Sequence, residues 1–367
     1  MTHTASLLDE LDRSLESGTN EQCLQALWRI TDLFITGATR YTDEQVGLFD
    51  DVIARLMTAI ESKARAKLAN RLAPIPNAPA KVIRNLAFDD DINVARPVLI
   101  ESPRLNDPDL IENANTKSQQ HMFAITQRPS LSEGVTDVIV SRGDPQVVRS
   151  IVKNTGARFS DAGFRLLVKR SIGDDILATQ VGRRPDIPRQ HFLALLDKAS
   201  AVVREKLASA NPGAAGAVDG VIGEIVGSIR SEARNASPNY ATAKAQVEAL
   251  YQNGQLGESE VYAFARERKF EATAVALSLL CQVPIDVVER ALLDAGPEIL
   301  LILAKVAGLS STTAKAILLL RAADRGMSAQ DLEQALSTFS RLQTETARRV
   351  LRFYNDRQKR MAESAAH

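Results

Sequence analysis

The stretch "RGDPQVVRSIV", from Arg142 to Val152, decides the fold class. Asp144 stands directly before Pro145, and apolar residues then follow at the spacing of one helical face. The Asp carboxylate can accept hydrogen bonds from the free amides of a first helical turn, and it meets the positive end of the helix dipole. Proline at the first helical position loses no hydrogen bond, because that amide has no partner within the helix. We therefore predict that Asp144 caps a short helix with a buried apolar stripe.

The same stretch contains the tripeptide Arg142-Gly143-Asp144, which extracellular adhesion ligands present on a loop. Its position favours a structural joint, in which Gly143 ends one helix and Asp144 begins the next. A recognition signal is the alternative.

Parts of this pattern recur along the chain. Asp91 and Arg96 stand in "DDDINVARPVLI" at offsets similar to those of Asp144 and Arg149, and "KASAVVREKL" repeats the pattern at Arg204 without the aspartate. The interval from Arg96 to Arg149 is nearly the same as the interval from Arg149 to Arg204. These five residues are the predicted repeat markers.

A second marker has a similar period, since Arg128-Pro129 recurs as Arg184-Pro185 after almost the same interval. We predict repeat units of two or three short helices that bury their apolar stripes by stacking on their neighbours. Arg149 is then expected to reach an aspartate of the next unit. Chance reuse of common residues at helix starts is the alternative.

Composition agrees with a helical protein. Hydrophobic residues make up 45% of the 367 residues and aromatic residues only 5%, a balance that favours helices over strands. The 45 basic and 45 acidic residues cancel, so a polyanion or an anionic membrane would have to be met by a local patch. The two cysteines, Cys23 and Cys281, are far apart and form no metal-binding or disulfide pattern. With no secretory signal and no apolar run of about 18 residues, we expect a cytoplasmic location and no membrane contact.

The motif "DPQVVR" is similar to the signature of HEAT repeats, a class of α-solenoid. More widely, the segment from Thr42 to about Val203 resembles an uncharacterised bacterial family, domain of unknown function 2336, through "LANRLA", "NAPAKVIRNLAFDDDINVARPVLIESPRLNDPDLI" and "GRRPDIP". "GPEILLILAKVAGLS" extends the similarity towards the C-terminus. The resemblance implies a helical repeat fold in a cytoplasmic alphaproteobacterial setting, and it implies no known reaction.

We therefore predict an all-α protein, a HEAT-like α-solenoid followed by a C-terminal helical domain. The predicted divisions are an N-terminal helical segment (1–75), HEAT-like repeats (76–207), a Gly/Ala-rich connector or close-packed helix (208–239), a C-terminal helical domain (240–360) and a tail (361–367). Within the first segment, a capping box at Thr42 and Gln45 predicts a helix that continues to about Leu72.

The Gly-rich segment leaves several alternatives open. Glycines at 213, 216, 220, 223 and 227 would align on one helical face and let another backbone approach closely. Glycine also costs about 1 kcal/mol per interior helical position, which favours a mobile linker. A helix that forms only with a partner is the third alternative.

Several basic groups are candidates for binding an acidic partner. The predicted partner-binding residues are Arg183, Arg184, Arg189, Arg348, Arg349 and Arg352. The last three belong to a cluster that continues through Arg357, Lys359 and Arg360. A further basic group is Arg266, Arg268 and Lys269. Charge runs are more often solvated faces, so each group has that structural alternative.

A rival signal is "ILAKVAGLSSTTAKAI", which resembles a helix-hairpin-helix module that binds a DNA phosphate through backbone amides. Gly308 fits that pattern, but Ser310 stands where the second glycine belongs. An ordinary helical hairpin with a glycine C-cap is the favoured interpretation.

No catalytic or metal-binding motif is present, so we expect no enzyme activity, no metal and no cofactor. The leading prediction is a scaffold or adaptor that binds a protein or peptide partner, with a role in bacterial regulation. Nucleic-acid binding through the Gly308 hairpin and the C-terminal basic cluster is the alternative. The third prediction is an enzyme or sensor for an anionic small molecule, bound between the helical halves. The oligomeric state stays open.

Overall fold

The computed structural model describes residues 20–210, 215–293, 296–325 and 327–353, and helices joined by short turns account for most of them. This confirms the all-α prediction. The chain divides into two compact units, the first ending at Asp186 and the second beginning at Ile187. The predicted C-terminal boundary of the repeats, residue 207, lies inside a helix of the second unit.

The first unit contains eleven described α-helices and one 3₁₀ turn (Ala38–Arg40). The helices are α1 (Asn20–Gly37), α2 (Asp43–Thr58), α3 (Ser62–Leu72), α4 (Ala80–Ala87), α5 (Ile92–Glu101), α6 (Asp107–Thr116), α7 (Gln119–Ile125), α8 (Glu133–Arg142), α9 (Pro145–Lys153), α10 (Asp161–Arg170) and α11 (Asp175–Gly182).

The helices from α4 to α11 form four consecutive hairpins, α4–α5, α6–α7, α8–α9 and α10–α11. The first helices of the last three hairpins contact one another in order, and so do the second helices of all four. The hairpins begin at Ala80, Asp107, Glu133 and Asp161, so one hairpin is about half as long as the interval between the sequence markers. The markers therefore recur at every second hairpin, which corrects the predicted size of the unit.

Arginine side chains join equivalent helices of successive hairpins. Arg170, which ends α10, donates to the carbonyls of Val140 and Gly143 at the end of α8, with N–O distances of 2.6 Å each. Arg128, after α7, bonds in the same way to Leu99 O at 2.7 Å, near the end of α5. The last carbonyls of a helix have no partner within it, and a cation there also meets the negative end of the dipole.

The predicted cap at Asp144 is confirmed, because its Oδ1 accepts from Val147 N at 2.8 Å. The rest of the tripeptide is also used internally. Arg142 donates to Ala114 O at 2.7 Å, and Gly143 O accepts from Arg170. The tripeptide is therefore a joint between α8 and α9, as expected.

Of the other predicted repeat markers, Asp91 and Arg149 form hydrogen bonds through their side chains, and Arg96 is exposed. Asp91 caps α5 by accepting from Asn93 N at 3.0 Å. Arg149 reaches Asp174 of the next hairpin, with Nε–Oδ2 at 3.0 Å and Nη2–Oδ2 at 2.9 Å, as predicted. Arg96 is exposed and has no carboxylate partner among the described residues.

The third marker, Arg204, has different structural surroundings from Arg96 and Arg149. It lies within a helix of 22 residues in the second unit, and the adjacent Val202 and Val203 are 39% and 46% exposed. The corresponding Val147 and Val148 are fully or almost fully buried in the first unit. A three-residue match without a capping aspartate was therefore misleading.

The capping box at Thr42 is confirmed, but the helix does not continue to Leu72. It ends at Thr58, and Ile60, two residues further on, is buried at 7% exposure. Arg65 then holds the turn by donating to Ile60 O at 2.9 Å.

The second unit contains ten described helices. They are α12 (Arg189–Ala210), α13 (Ala215–Asn235), α14 (Pro238–Gln252), α15 (Glu258–Arg266), α16 (Phe270–Cys281), α17 (Ile285–Leu293), α18 (Glu298–Val306), α19 (Ser311–Arg325), α20 (Ala329–Arg341) and α21 (344–353). Helix α16 is central, since it is buried along most of its length and contacts α14, α15, α17 and α18. Leu277 of α16 is fully buried and belongs to the same hydrophobic core as the fully buried Val288, Leu303 and Ile317.

The Gly-rich segment is helical over α13, so a linker across the whole of residues 208–239 is ruled out; residues 211–214 lie outside the described part of the chain. The three glycines of this segment whose surroundings the structure describes are not packed against a neighbour, because a Cβ added at Gly220, Gly223 or Gly227 would meet no atom within 4 Å. Ile222 and Val226 supply the buried face instead, and α13 contacts α12.

Arg184 and its neighbour Arg183 allow a direct test of the carbonyl contacts. Arg184 is 8% exposed and donates to Val152 O, Asn154 O and Ala157 O, at 2.8 to 2.9 Å. We expect Arg184→Ala to lower the free energy of unfolding by about 3 kcal/mol, because three acceptors lose their donor. Urea denaturation of the full chain measures this.

Arg183→Ala is the matched control, since Arg183 is exposed. It should change the free energy of unfolding by no more than about 0.5 kcal/mol. Equal losses in the two variants would contradict the assigned role of Arg184.

Candidate functional site

The first predicted basic group consists of Arg183, Arg184 and Arg189. Most of its side chains form contacts within the protein. Arg183 is exposed, whereas Arg184 holds helix carbonyls and pairs with Asp186 at 2.8 Å. Arg189 is 7% exposed and donates to two carboxylates, Glu271 at 3.0 Å and Glu289 at 2.6 Å. Burial therefore corrects the prediction that Arg184 and Arg189 bind a partner.

Arg189 belongs to a buried charge cluster of the second unit. Glu289 is fully buried, and Arg234 lies 3.7 Å from its second oxygen. The ring of Tyr240 lies 5.4 Å from the Arg189 guanidinium. These side chains come from α12, α13, α14, α16 and α17, so the cluster joins five helices.

The pKa values in this cluster follow from burial and pairing. Burial raises the pKa of Glu271. Burial acts to lower the pKa of Arg189, but its hydrogen bond to Glu289 and the two nearby carboxylates leave that pKa raised. Arg189 is therefore a cation that neutralises buried acids, which is a structural role.

The C-terminal cluster remains at the surface. Arg348, Arg349 and Arg352 are exposed on α21, and Arg348 lies 3.7 Å from Glu345. Arg357, Lys359 and Arg360 lie outside the described residues. Partner binding by this cluster stays a prediction.

The Gly308 hairpin already holds a carboxylate. Gly308 has φ +74°, as a helix-ending glycine does. Ser310 N donates to Glu258 Oε1 at 2.9 Å, and Thr313 Oγ1 donates to the same oxygen at 2.6 Å. The hydrogen bonds from Ser310 and Thr313 lower the pKa of Glu258. An internal anion thus occupies the amide that a helix-hairpin-helix module would offer to DNA.

A cleft between α15 and α19 has the opposite character, and we call it the cationic cleft. Its volume is about 430 Å³. It is lined by Tyr262, Ala265, Arg266, Arg268, Thr312, Lys315, Ala316, Leu319 and Leu320. Two successive turns of α19 supply Lys315 and Leu319, while the end of α15 and the turn after it supply the arginines.

The three cations of the cationic cleft are not used by the fold. Arg266, Arg268 and Lys315 are exposed, and none forms a salt bridge with a carboxylate among the described residues; Arg266 interacts with Glu267 only as a nearby charge. The neighbouring Lys269 differs, since it pairs with Glu267 at 2.7 Å. Three positive charges therefore face one concavity whose lining contains no acid.

Arg268 occupies this position at a conformational cost. Its φ of +58° lies in the left-handed region, just after the C-cap of α15. Glycine is the usual residue at such a helix end, since other residues pay a steric penalty there. A long cationic side chain at this position favours a role that glycine could not perform.

The lining is rich in hydrogen-bond donors suited to an anion. Arginine, lysine, tyrosine and threonine donate hydrogen bonds to anionic oxygens. Across the described residues, no group of three or more His, Cys, Asp or Glu side chains could hold a metal ion. The helices described here include none with the length and apolarity needed to cross a membrane.

Arg266 and Arg268 stand in a basic group that is visible in the sequence, and Lys315 stands in the hairpin segment, but no sequence pattern placed the three together. Glu267 follows the last residue of α15 and pairs with Lys269, which lowers the pKa of Glu267, and the charge of Arg266 adds to this lowering. The approach of α19 to α15 depends on tertiary packing and had no sequence signal.

We expect Arg268→Gly to raise the free energy of unfolding by about 1 kcal/mol, because glycine removes the left-handed penalty. The control is Arg266→Gly, which places glycine inside the last turn of α15 and should cost about 1 kcal/mol. Urea denaturation of both variants measures the two changes. A loss of stability in Arg268→Gly would show that this side chain stabilises the fold.

Comparison with known proteins gives one match. A family model described as an uncharacterised protein conserved in bacteria (DUF2336) matches residues 94–352, well over half of the chain. No curated protein and no solved structure matches.

Proposed function

The chain belongs to the DUF2336 family, and because that family is uncharacterised, we propose a function from the geometry: a non-enzymatic scaffold or adaptor that binds a protein partner. In this proposal the first unit is a HEAT-like α-solenoid. The second unit binds an acidic segment of the partner in the cationic cleft. The proposed location is the cytoplasm of a bacterium, in an alphaproteobacterial setting.

The contacts among hairpins support the solenoid. Equivalent helices contact in order, and Arg128, Arg142, Arg170 and Arg184 each bond to the end of the equivalent helix in the preceding hairpin. A stack of this kind is stabilised between neighbours, and it presents an extended surface.

The unpaired cations carry the proposal for the second unit. Arg266, Arg268 and Lys315 keep their charges in water around a cleft floored by apolar residues such as Leu320. Protein interfaces combine apolar contacts with complementary charges, which fix the register and speed the encounter. An acidic segment that also carries an apolar side chain fits this lining.

Nucleic-acid binding has weaker support. The amide of Ser310 is bonded to Glu258, so a phosphate would have to displace an ionised carboxylate. The exposed Arg348, Arg349 and Arg352 keep this alternative open for α21. Binding of that kind would weaken steeply with salt, so mobility shifts at low salt test it.

The test of the protein-binding proposal uses charge reversal in the cationic cleft. A photoreactive amino acid at Leu319, which is 48% exposed in the lining, should crosslink a partner in cells of the source bacterium. The partner identified in this way is then purified for titration against the full chain. Arg266→Glu, Arg268→Glu and Lys315→Glu together should weaken that binding roughly a hundredfold, at about 1 kcal/mol for each lost exposed ion pair.

The control reverses three exposed lysines of the first unit, Lys63, Lys67 and Lys153. This variant has the same net charge as the cleft variant and should bind the partner normally. Equal weakening in both variants, or a small metabolite recovered with the protein in place of a crosslinked partner, would contradict the proposal.

A further inference from the structure

We infer that the cationic cleft recognises a phosphate monoester in its dianionic form, attached to an apolar or aromatic body. This inference rests on the proposed function of the cleft as an anion-binding site. It goes further by naming the chemical group that the site accepts.

The charge of the lining favours a dianion over a single carboxylate. Arg266, Arg268 and Lys315 bring three positive charges, and the lining contains no acid to offset them. A carboxylate neutralises only one of these charges. A phosphate monoester carries between one and a half and two negative charges near pH 7, on three strong acceptor oxygens.

The number of hydrogen-bond donors in the lining also favours a phosphate monoester. Each guanidinium has five N–H donors, and Lys315 has three. Tyr262 and Thr312 add a hydroxyl donor each. Arginine forks bind phosphate oxygens in a bidentate manner, and charged hydrogen bonds of this type are about twice as strong as neutral ones. A carboxylate has only two oxygens to offer to these side chains.

The volume of the cleft calls for more than a phosphate. At about 430 Å³ it falls in the range of sites for small organic ligands, which is much larger than a phosphate group. Ala265, Ala316, Leu319 and Leu320 supply an apolar lining beside the cations. The phosphate is therefore expected to have an apolar body that lies along α19.

Two sources could supply this chemistry, a phosphorylated side chain on a partner protein or a free small phosphate ester. Both present the same dianion and an apolar body. The proposed function favours the phosphorylated side chain, and one arm of the experiment separates the two sources.

The experiment compares phenyl phosphate with phenyl sulfate by calorimetric titration of the full chain. The two probes have the same ring and a tetrahedral anionic group, but phenyl sulfate carries one charge throughout. We expect phenyl phosphate to bind about tenfold more tightly than phenyl sulfate at pH 8.

The affinity for phenyl phosphate should fall towards that for phenyl sulfate at pH 5, because the ester takes up a proton with a pKa near 6. The affinity for phenyl sulfate should stay constant, which controls for titration of the protein. The carboxylate between the two arginines, Glu267, has a pKa lowered by its hydrogen bond to Lys269 and by the charges of Lys269 and Arg266, so it adds no competing change over this range.

Arg266→Gln and Lys315→Gln test the site without placing new acids beside it. Together they should lower the affinity for phenyl phosphate at least about tenfold at pH 8. The control pair, Lys63→Gln and Lys67→Gln, should leave that affinity unchanged. Equal affinity for the two probes at pH 8, or binding that survives the first pair of substitutions, would overturn the inference.

The last arm uses a short peptide of alanine and glycine with one phosphotyrosine. Binding at least as tight as that of phenyl phosphate supports a protein-borne ligand. If phenyl phosphate binds and the peptide does not, the result supports a phosphate-binding site and contradicts the proposal that the ligand belongs to a protein partner. If neither phosphate probe binds while the crosslinked partner still depends on Arg266, Arg268 and Lys315, the inference fails and the proposed function stands.

Discussion

A helix that ends inside a stack of helices leaves carbonyl groups without a partner in its own turns, and the first unit depends on how these carbonyls are paired. Arginine supplies the donors. Arg128, Arg142, Arg170 and Arg184 each bond to carbonyls at the end of a helix one hairpin earlier. Each guanidinium also places a positive charge at the negative end of that helix dipole. The same bonds therefore satisfy buried backbone and fix the position of each hairpin on the one before it.

This constraint explains why the sequence markers recur at twice the length of a hairpin. Arg128 and Arg184 follow the second helices of alternate hairpins, whereas Arg142 and Arg170 end the first helices of successive ones. Similar bonds are thus made from non-identical positions. A pattern search that requires the same residues at the same offsets finds only every second hairpin.

The sequence predicted local features well because they depend on neighbouring residues. The cap at Asp144, the capping box at Thr42 and the helical fold class need only a few adjacent side chains. The exposure of an arginine depends instead on what packs over it. Arg183 and Arg184 are adjacent and chemically identical, yet one is exposed and the other is buried under helix ends. Arg204 differs from the other markers for the same reason, since its sequence neighbours match theirs but its helix lies in the second unit.

The distribution of positive charge connects the fold to the candidate site. Because basic and acidic residues are equal in number, net charge cannot direct an anion to this protein. Arginines that hold carbonyls or buried acids, such as Arg170 and Arg189, cannot move to a ligand without leaving buried groups unpaired. A binding site must therefore be built from cations that the fold does not need. Arg268 is the clearest example, because its backbone conformation would favour glycine and its side chain nevertheless lines the cationic cleft.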